Sequence, residues 1–336
     1  MTTERKKEHI EICLHEDVTG TTQDTWDKVN LPHCACPDLC LDEIQVNQSF
    51  LGNKYSSPFL ISSMTGGESN GDNINARLAK LSSEKQIPMG LGSLRIAVEN
   101  QDSRKSFYKL REQFPEAKLW ANFGLVQLNY GLKITEIDEL CKNLEVEALI
   151  LHLNPLQECL QPEGNTDFRG LVDKFAALRQ KINIPIVIKE TGCGMDIKTS
   201  TKFVEAGADA IDVAGLGGTH WGIVESRRNK SFETNPKMFS SWGISSPRNL
   251  ITHVNTLKTP IIASGGIKNG LDAAKAFYLG AQMAGMAGAF FKSAENSYEI
   301  LEEFYENQLR VLKIALMCTN SKKLSDLIGI QTNGNT

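Results

Sequence analysis

His152, Asn154, Gln157 and Glu158 follow directly on the apolar run Ala148-Leu-Ile-Leu151. The run reads as a buried strand, and a strand buried on both faces has no structural use for four polar side chains at its end. Such a cluster belongs where a strand of an α/β barrel delivers reactive groups to the catalytic face. The pattern recurs. Ile61-Ser-Ser63-Met64-Thr65-Gly-Gly67, Ser93-Leu94-Arg95, Asn122, Lys189, Ala214 with Gly217-Gly-Thr219, Ser264-Gly-Gly266-Ile267-Lys268 and Ala287-Gly288 all stand at the ends of apolar runs. Glycine at the last two exits would bare backbone N–H groups to a phosphate, as loops after strands seven and eight of a barrel commonly do. A lysine in a barrel mouth can either stabilise negative charge on a cofactor ring or form a Schiff base, and Lys189 alone does not choose between them. Arg5 and Lys6 read either as solvated charges or as capture of a phosphate-bearing substrate.

Eight apolar runs position these groups: 59–63, 88–92, 119–122, 148–153, 184–189, 210–214, 260–264 and 283–287. Helix-period segments at 73–85, 102–113, 134–144, 168–181, 197–206 and 271–279 fall between them. This alternation predicts a (β/α)8 TIM barrel with an N-terminal extension. Residues 1–55 form the extension and substrate-closing segment, 56–320 the catalytic barrel, and 321–336 a polar tail expected to fray after a helix at 298–316. The connection 216–244 is long enough to be a lid or binding loop. Hydrophobic residues make up 41% of the chain, enough to fill a large core, and 36 basic against 40 acidic residues favour neither nucleic acid nor an anionic membrane. With no signal-peptide pattern and no membrane-length apolar run, a cytoplasmic protein is expected. Eight scattered cysteines suit reduced thiols. His33, Cys34, Cys36 and Cys40 lie close together, but their spacing and flanking prolines read as an irregular loop, not a zinc knuckle.

The motifs resemble those of the type 2 isopentenyl-diphosphate isomerases. The resemblance runs collinearly through Arg5-Lys-Lys-Glu-His9, Met64-Thr-Gly-Gly67, Gly90-Leu-Gly-Ser-Leu-Arg95, Ala121-Asn-Phe-Gly124, His152-Leu-Asn-Pro-Leu-Gln-Glu158, Gln161-Pro-Glu-Gly164, Lys189-Glu190, Gly217-Gly-Thr219, Ser264-Gly-Gly-Ile267 and Gly270-Leu-Asp-Ala-Ala-Lys275. It implies an FMN-dependent barrel enzyme interconverting isopentenyl and dimethylallyl diphosphate, with Mg2+, with NADPH to reduce the flavin, and with a tetrameric or octameric homo-oligomer. It further implies that Arg5, Lys6, Ser93, Leu94, Arg95, His152 and Gln157 meet substrate, with Gln157 and His152 nearest the chemistry and Glu158 holding Mg2+. Ser63, Met64, Thr65, Ser93, Asn122, Lys189, Ala214 and Thr219 would meet FMN, and Gly266, Ile267, Lys268, Ala287 and Gly288 would hold its phosphate end. Leu94, Ala214 and Lys268 depart from the family's usual glutamine, hydroxyl residue and arginine.

An FMN-dependent 2-hydroxy-acid oxidase or dehydrogenase is the alternative. It would need a histidine base and a carboxylate-binding arginine near the sixth and seventh strands. His220 could serve as that base, but Gly217-Gly218 is followed by Thr219-His220-Trp221 and not by arginine. A catalytically silent barrel is a further possibility, against which the polar strand exits argue.

Overall fold

A computed structural model describes residues 2–64, 69–232 and 234–327, leaving aside the side chains of 2–4, 6–7, 69–72 and 230. Thr65, Gly66, Gly67 and the side chain of Lys6 therefore lie outside the described residues. Eight parallel strands close into a barrel: β1 (Phe59–Ile61), β2 (Pro88–Gly90), β3 (Lys118–Gly124), β4 (Ala148–Leu153), β5 (Ile186–Glu190), β6 (Ala210–Asp212), β7 (Ile261–Ser264) and β8 (Met283–Met286), with β8 pairing back onto β1. All eight fall on the expected runs, mostly trimmed by a residue or two, while β3 extends further to reach Gly124.

Strand alternation divides the barrel's side chains between two cores. Outward residues such as Phe59, Met89, Leu119, Leu151, Ile188, Ile211, Ala263 and Met286 join the helices in one large cluster. Inward residues Leu60, Trp120, Ala148, Ile150, Val187, Ala210, Ile262 and Met283 form a second cluster with Phe50 and Tyr55. Phe50 and Tyr55 belong to a hairpin, Gln48–Phe50 with Asn53–Tyr55, that plugs the N-terminal mouth of the barrel. Leu51 and Gly52 both adopt positive φ (50° and 83°), the backbone that a two-residue hairpin turn demands. Phe50 stacks on Trp120 with ring centroids 6.1 Å apart. The Trp120 indole donates to the Tyr55 hydroxyl (3.3 Å), which donates in turn to Glu147 (2.8 Å).

Several elements had no signal in the periodicity. The extension begins with a helix, Thr2–His15, and short helices Arg95–Glu99, Pro155–Leu160 and Trp221–Arg228 follow β2, β4 and β6. The 216–244 connection is thus partly helical. After the first helix the chain forms a strap across the barrel mouth. Gly20 N–H donates to Gly218 O (2.9 Å), His220 N–H to Val18 O (2.8 Å), and Thr21 N–H to Ser240 O (2.7 Å). The helix Tyr298–Cys318 forms as expected, but the start of the tail does not fray: Ser321, Leu324 and Leu327 are buried, and Gln45 N–H donates to Lys322 O (2.9 Å). Two apolar residues one helical turn apart suffice to dock it. Residues 328–336 lie outside the described residues.

Candidate active site

The alternation that buries Trp120 and Ala148 at one end of the barrel brings Asn122, His152, Lys189, Asp212 and Ser264 inward at the other. Register sets His152 opposite Lys189 and Lys189 opposite Asp212. Lys189 Nζ lies 2.8 Å from Asp212 Oδ2 and donates to Ser264 Oγ (3.1 Å), and Ser264 Oγ donates to Asp212 Oδ1 (2.5 Å). The ion pair and the hydroxyl offset the desolvation that burial imposes on the ammonium. His152 Nδ1 pairs with Asn122 Oδ1 at 2.8 Å, and this bond to an acceptor makes Nδ1 the protonated nitrogen. Burial and then the Lys189 charge lower the His152 pKa to about 4, so the ring stays neutral.

Beyond β4 the chain turns at Asn154 into the helix Pro155–Leu160, with Pro155 in the first turn where its missing N–H costs nothing. Gln157 and Glu158 therefore stand on a helix and not in a loop. Asn154 Nδ2 donates to Gln157 Oε1 (3.0 Å) and to Glu158 Oε1 (3.1 Å), so one amide aligns both. The other Glu158 oxygen accepts Asn165 N–H (2.6 Å). Gln157 Nε2 donates to Glu225 Oε1 (3.0 Å). Glu225, fully buried on the helix Trp221–Arg228, also meets His9 Nε2 (2.8 Å) and Arg228 Nη1 (2.5 Å). Burial alone would raise the Glu225 pKa, but His9, Gln157 and Arg228 outweigh it and hold the carboxyl below its ordinary value. With its amide nitrogen facing Glu225, Gln161 bridges Glu225 Oε1 (3.2 Å) to Arg5 Nη1 (2.9 Å).

Two cavities meet over the barrel. One is lined by Arg5, His9, Ser63, Met64, Ser93, Arg95, Asn122, His152, Asn154, Gln157, Glu158, Lys189 and Trp221 among others. The second, the larger of the two, runs past Ala214, Thr219, Gly265 to Lys268 and Ala287 to Ala289. Ser63, Lys189, Thr191 and Trp221 line both. The larger cleft fits a phosphorylated planar cofactor. Among the described residues no acceptor meets the N–H groups of Gly266 and Ile267, and the Ser63 hydroxyl is buried without a partner. A Cβ on Gly265 or Gly266 would strike the carbonyls of Gly215 or Gly217, so only glycine admits this backbone. The donor set around Glu158 suits Mg2+: one carboxylate beside the side-chain amide oxygen of Asn154, Oδ1, which is buried and unpartnered among the described residues. No group of three His, Cys, Asp or Glu side chains gathers to hold a metal among the described residues, so such an ion would complete its shell with water and with oxygens of a bound ligand.

Comparison with known proteins agrees with this geometry. A family model described as FMN-dependent dehydrogenase matches residues 164–299. The isopentenyl-diphosphate delta-isomerase of Synechococcus sp. is 40% identical over 323 residues, covering 95% of this chain and 92% of its own. That of Nostoc sp. is 41% identical, covering 97% and 94%. The chain belongs to the isopentenyl-diphosphate delta-isomerase family. Solved structures similar to this isomerase-family chain include a flavocytochrome b2 (15% identity, TM-score 0.69, covering 96% of this chain and 81% of that one) and a mandelate oxidase with a monooxide FMN adduct (14%, 0.65, 94% and 93%). At such identities these share the fold alone.

Within the isomerase-family framework, Arg5, Ser93, Arg95, His152, Gln157 and Glu158 line the smaller cavity, and Lys189, Ala214, Thr219, Gly266, Ile267, Lys268, Ala287 and Gly288 line the larger. Ser63 borders both, while Met64 and Asn122 border the smaller one only. Leu94 departs from expectation. Its side chain is fully buried in the outer core and lines neither cavity, as burial of its apolar surface against the helices favours. His220 is sealed away as well. Its Nε2 meets Trp242 O (3.0 Å) and Cys193 Sγ (3.4 Å), and it lines neither cavity. Glu225 and Asp212 escaped sequence reasoning. Asp212 had a signal, a carboxylate inside the buried run Ala210-Ile-Asp-Val, whereas Glu225 beside Arg227 and Arg228 reads as a surface helix.

Proposed function

We propose that this chain interconverts isopentenyl and dimethylallyl diphosphate, with FMN in the larger cleft and the substrate in the smaller cavity. The observation that carries the reading is the junction of the two cavities at Lys189, Ser63, Thr191 and Trp221, in a chain 40% identical to named isomerases. Reduced flavin, when bound, supplies electron density and an exchangeable proton beside the alkene. The remaining work falls to the protein. Arg5, Lys6, Ser93 and Arg95 hold the diphosphate, and Glu158 carries Mg2+ with it. His152 meets the substrate as a neutral ring: its depressed pKa keeps it uncharged and its one N–H goes to Asn122, which leaves Nε2 as an acceptor. Gln157 orients the reacting carbon and relays a proton at its amide. A neutral amide is a poor free-standing base, so the buried Glu225 carboxylate beneath it fixes its orientation. Lys189, held by its ion pair with Asp212, aims an ammonium at the cofactor ring. Met64 and Trp221 exclude water from a site that builds cation character on carbon.

Residues 1–55 we read as the segment that closes over substrate, 56–320 as the catalytic barrel and 321–336 as a tail. NADPH is the reductant that the family resemblance implies. A cytoplasmic setting is supported by eight free cysteines, and no helix among the described residues is long and apolar enough to cross a membrane. A homo-oligomer, tetramer or octamer, is the state that the family resemblance implies.

Purified protein given isopentenyl diphosphate, FMN, NADPH and Mg2+ without oxygen should form dimethylallyl diphosphate, with turnover lost when Mg2+ is chelated. Absence of isomerisation, or oxygen consumption with a 2-hydroxy acid, would overturn the reading.

A further inference from the structure

The larger cleft owes its floor to the Gly265–Gly266 peptide, where φ is +91° and +73°. Two consecutive glycines in this region keep more conformational freedom than any other pair. A cradle built from them needs an external pin to aim its N–H groups. Two donors reach the Gly265 carbonyl, Trp26 Nε1 at 2.9 Å and Ser246 Oγ at 2.7 Å. The serine hydroxyl also lies 3.3 Å from Leu216 O and from Ser264 O, so its single proton is shared among three carbonyls. The indole proton has one acceptor. Trp26 is itself fixed, being buried in a short 3-10 turn, with its carbonyl accepting from Lys275 Nζ at 2.9 Å. In a planar trans peptide the C=O and the following N–H point in opposite directions. A carbonyl held outward on Trp26 therefore turns the Gly266 N–H toward the cleft, where among the described residues no acceptor meets it.

We propose that Trp26 is a positioning residue for the cofactor's phosphate, acting through the Gly265–Gly266 peptide. The inference rests on the reading of the larger cleft as a flavin site. It makes the N-terminal extension part of the cofactor site as well as of the substrate site. Its ligand chemistry is that of a phosphate monoester, so riboflavin, which shares the ring system and lacks the phosphate, separates this role from general packing.

Trp26→Phe keeps the aromatic packing and removes only the N–H. The dissociation constants of FMN and riboflavin are to be measured on flavin-free protein by flavin fluorescence, for wild type and variant. FMN binding should weaken roughly fivefold in the variant, the scale of one net hydrogen bond, with riboflavin binding unchanged. Equal weakening of both flavins would reduce Trp26 to packing, and unchanged FMN affinity would remove it from the site. Selective labelling of the tryptophan indoles gives a measurement on the unaltered chain, independent of how the variant folds. One of the four indole N–H resonances should shift on FMN addition and stay in place with riboflavin; identical responses to the two flavins would overturn the proposal. Wild-type protein that binds no FMN sinks the flavin reading and this inference together, whereas wild type that binds FMN beside an indifferent Trp26→Phe sinks this inference alone.

Discussion

The two ends of the barrel are built from the same strands two residues apart, and they could hardly differ more in chemistry. On β3 the inward residue is Trp120 at one end and Asn122 at the other. On β4, Ala148 and Ile150 give way to His152; on β5, Val187 to Lys189; on β6, Ala210 to Asp212; on β7, Ile262 to Ser264. The N-terminal end is closed by a hairpin that contributes Phe50 and Tyr55. The C-terminal end is left open to two cavities. A single alternation thus lets one layer be chosen for packing and the next for reactivity, with no change of fold between them.

Substitutions at the two ends should separate stability from catalysis. Trp120→Ala, which empties the centre of the plug, should cost about 3–5 kcal/mol of unfolding free energy. A chemical-denaturation series would measure this, and the surviving folded protein should keep its kcat. Loss of activity without loss of stability would break the division. At the other end, Gln157→Asn withdraws the amide by one methylene and should lower kcat about a hundredfold, since such misplacement near reacting atoms is that costly. Steady-state kinetics beside FMN and Mg2+ titrations would show the effect confined to kcat, with the melting temperature close to wild type. The smallest effect belongs to His152. Its folded pKa, about 4, lies below the unfolded value near 6.5, so the unfolded chain binds the proton first as pH falls. Its contribution is complete above the unfolded pKa and declines between roughly pH 6.5 and 4, amounting to a loss of about 1.4 kcal/mol by about pH 5.5. His152→Gln should flatten that part of the stability profile. An unchanged profile would mean that the ring is not held neutral.

The barrel was legible because apolar runs and helical periods are local signals, and the strand exits were legible because polar residues interrupt them. Leu94 was misplaced because a sequence position next to Ser93 and Arg95 does not reveal which way a side chain faces at the start of a short helix. The fourth exit proved helical although Pro155, at N1, was visible all along. Glu225 stayed hidden for a deeper reason: Arg228 is a local partner three residues on, but His9 and Gln157, which bring the carboxylate into the site, come from two distant segments. Trp26 shares that difficulty, since its acceptor, Gly265, lies 239 positions further along the chain.

The pairing of His9 with Glu225 spans 216 positions. At roughly 5–20 residues per second, a ribosome would need about 10–40 s to supply that partner. The strap meets the same delay before Gly218 and Ser240 exist to receive it. During synthesis the helix Thr2–His15 must therefore wait in solvent while the barrel strands form behind it. Until then its apolar residues Ile10, Ile12 and Leu14 lack the core they pack against, and only the neighbouring Arg, Lys and Glu residues keep them soluble. The extension is thereby made before the barrel and docked among the last parts of it, so completion of the candidate site marks completion of the fold.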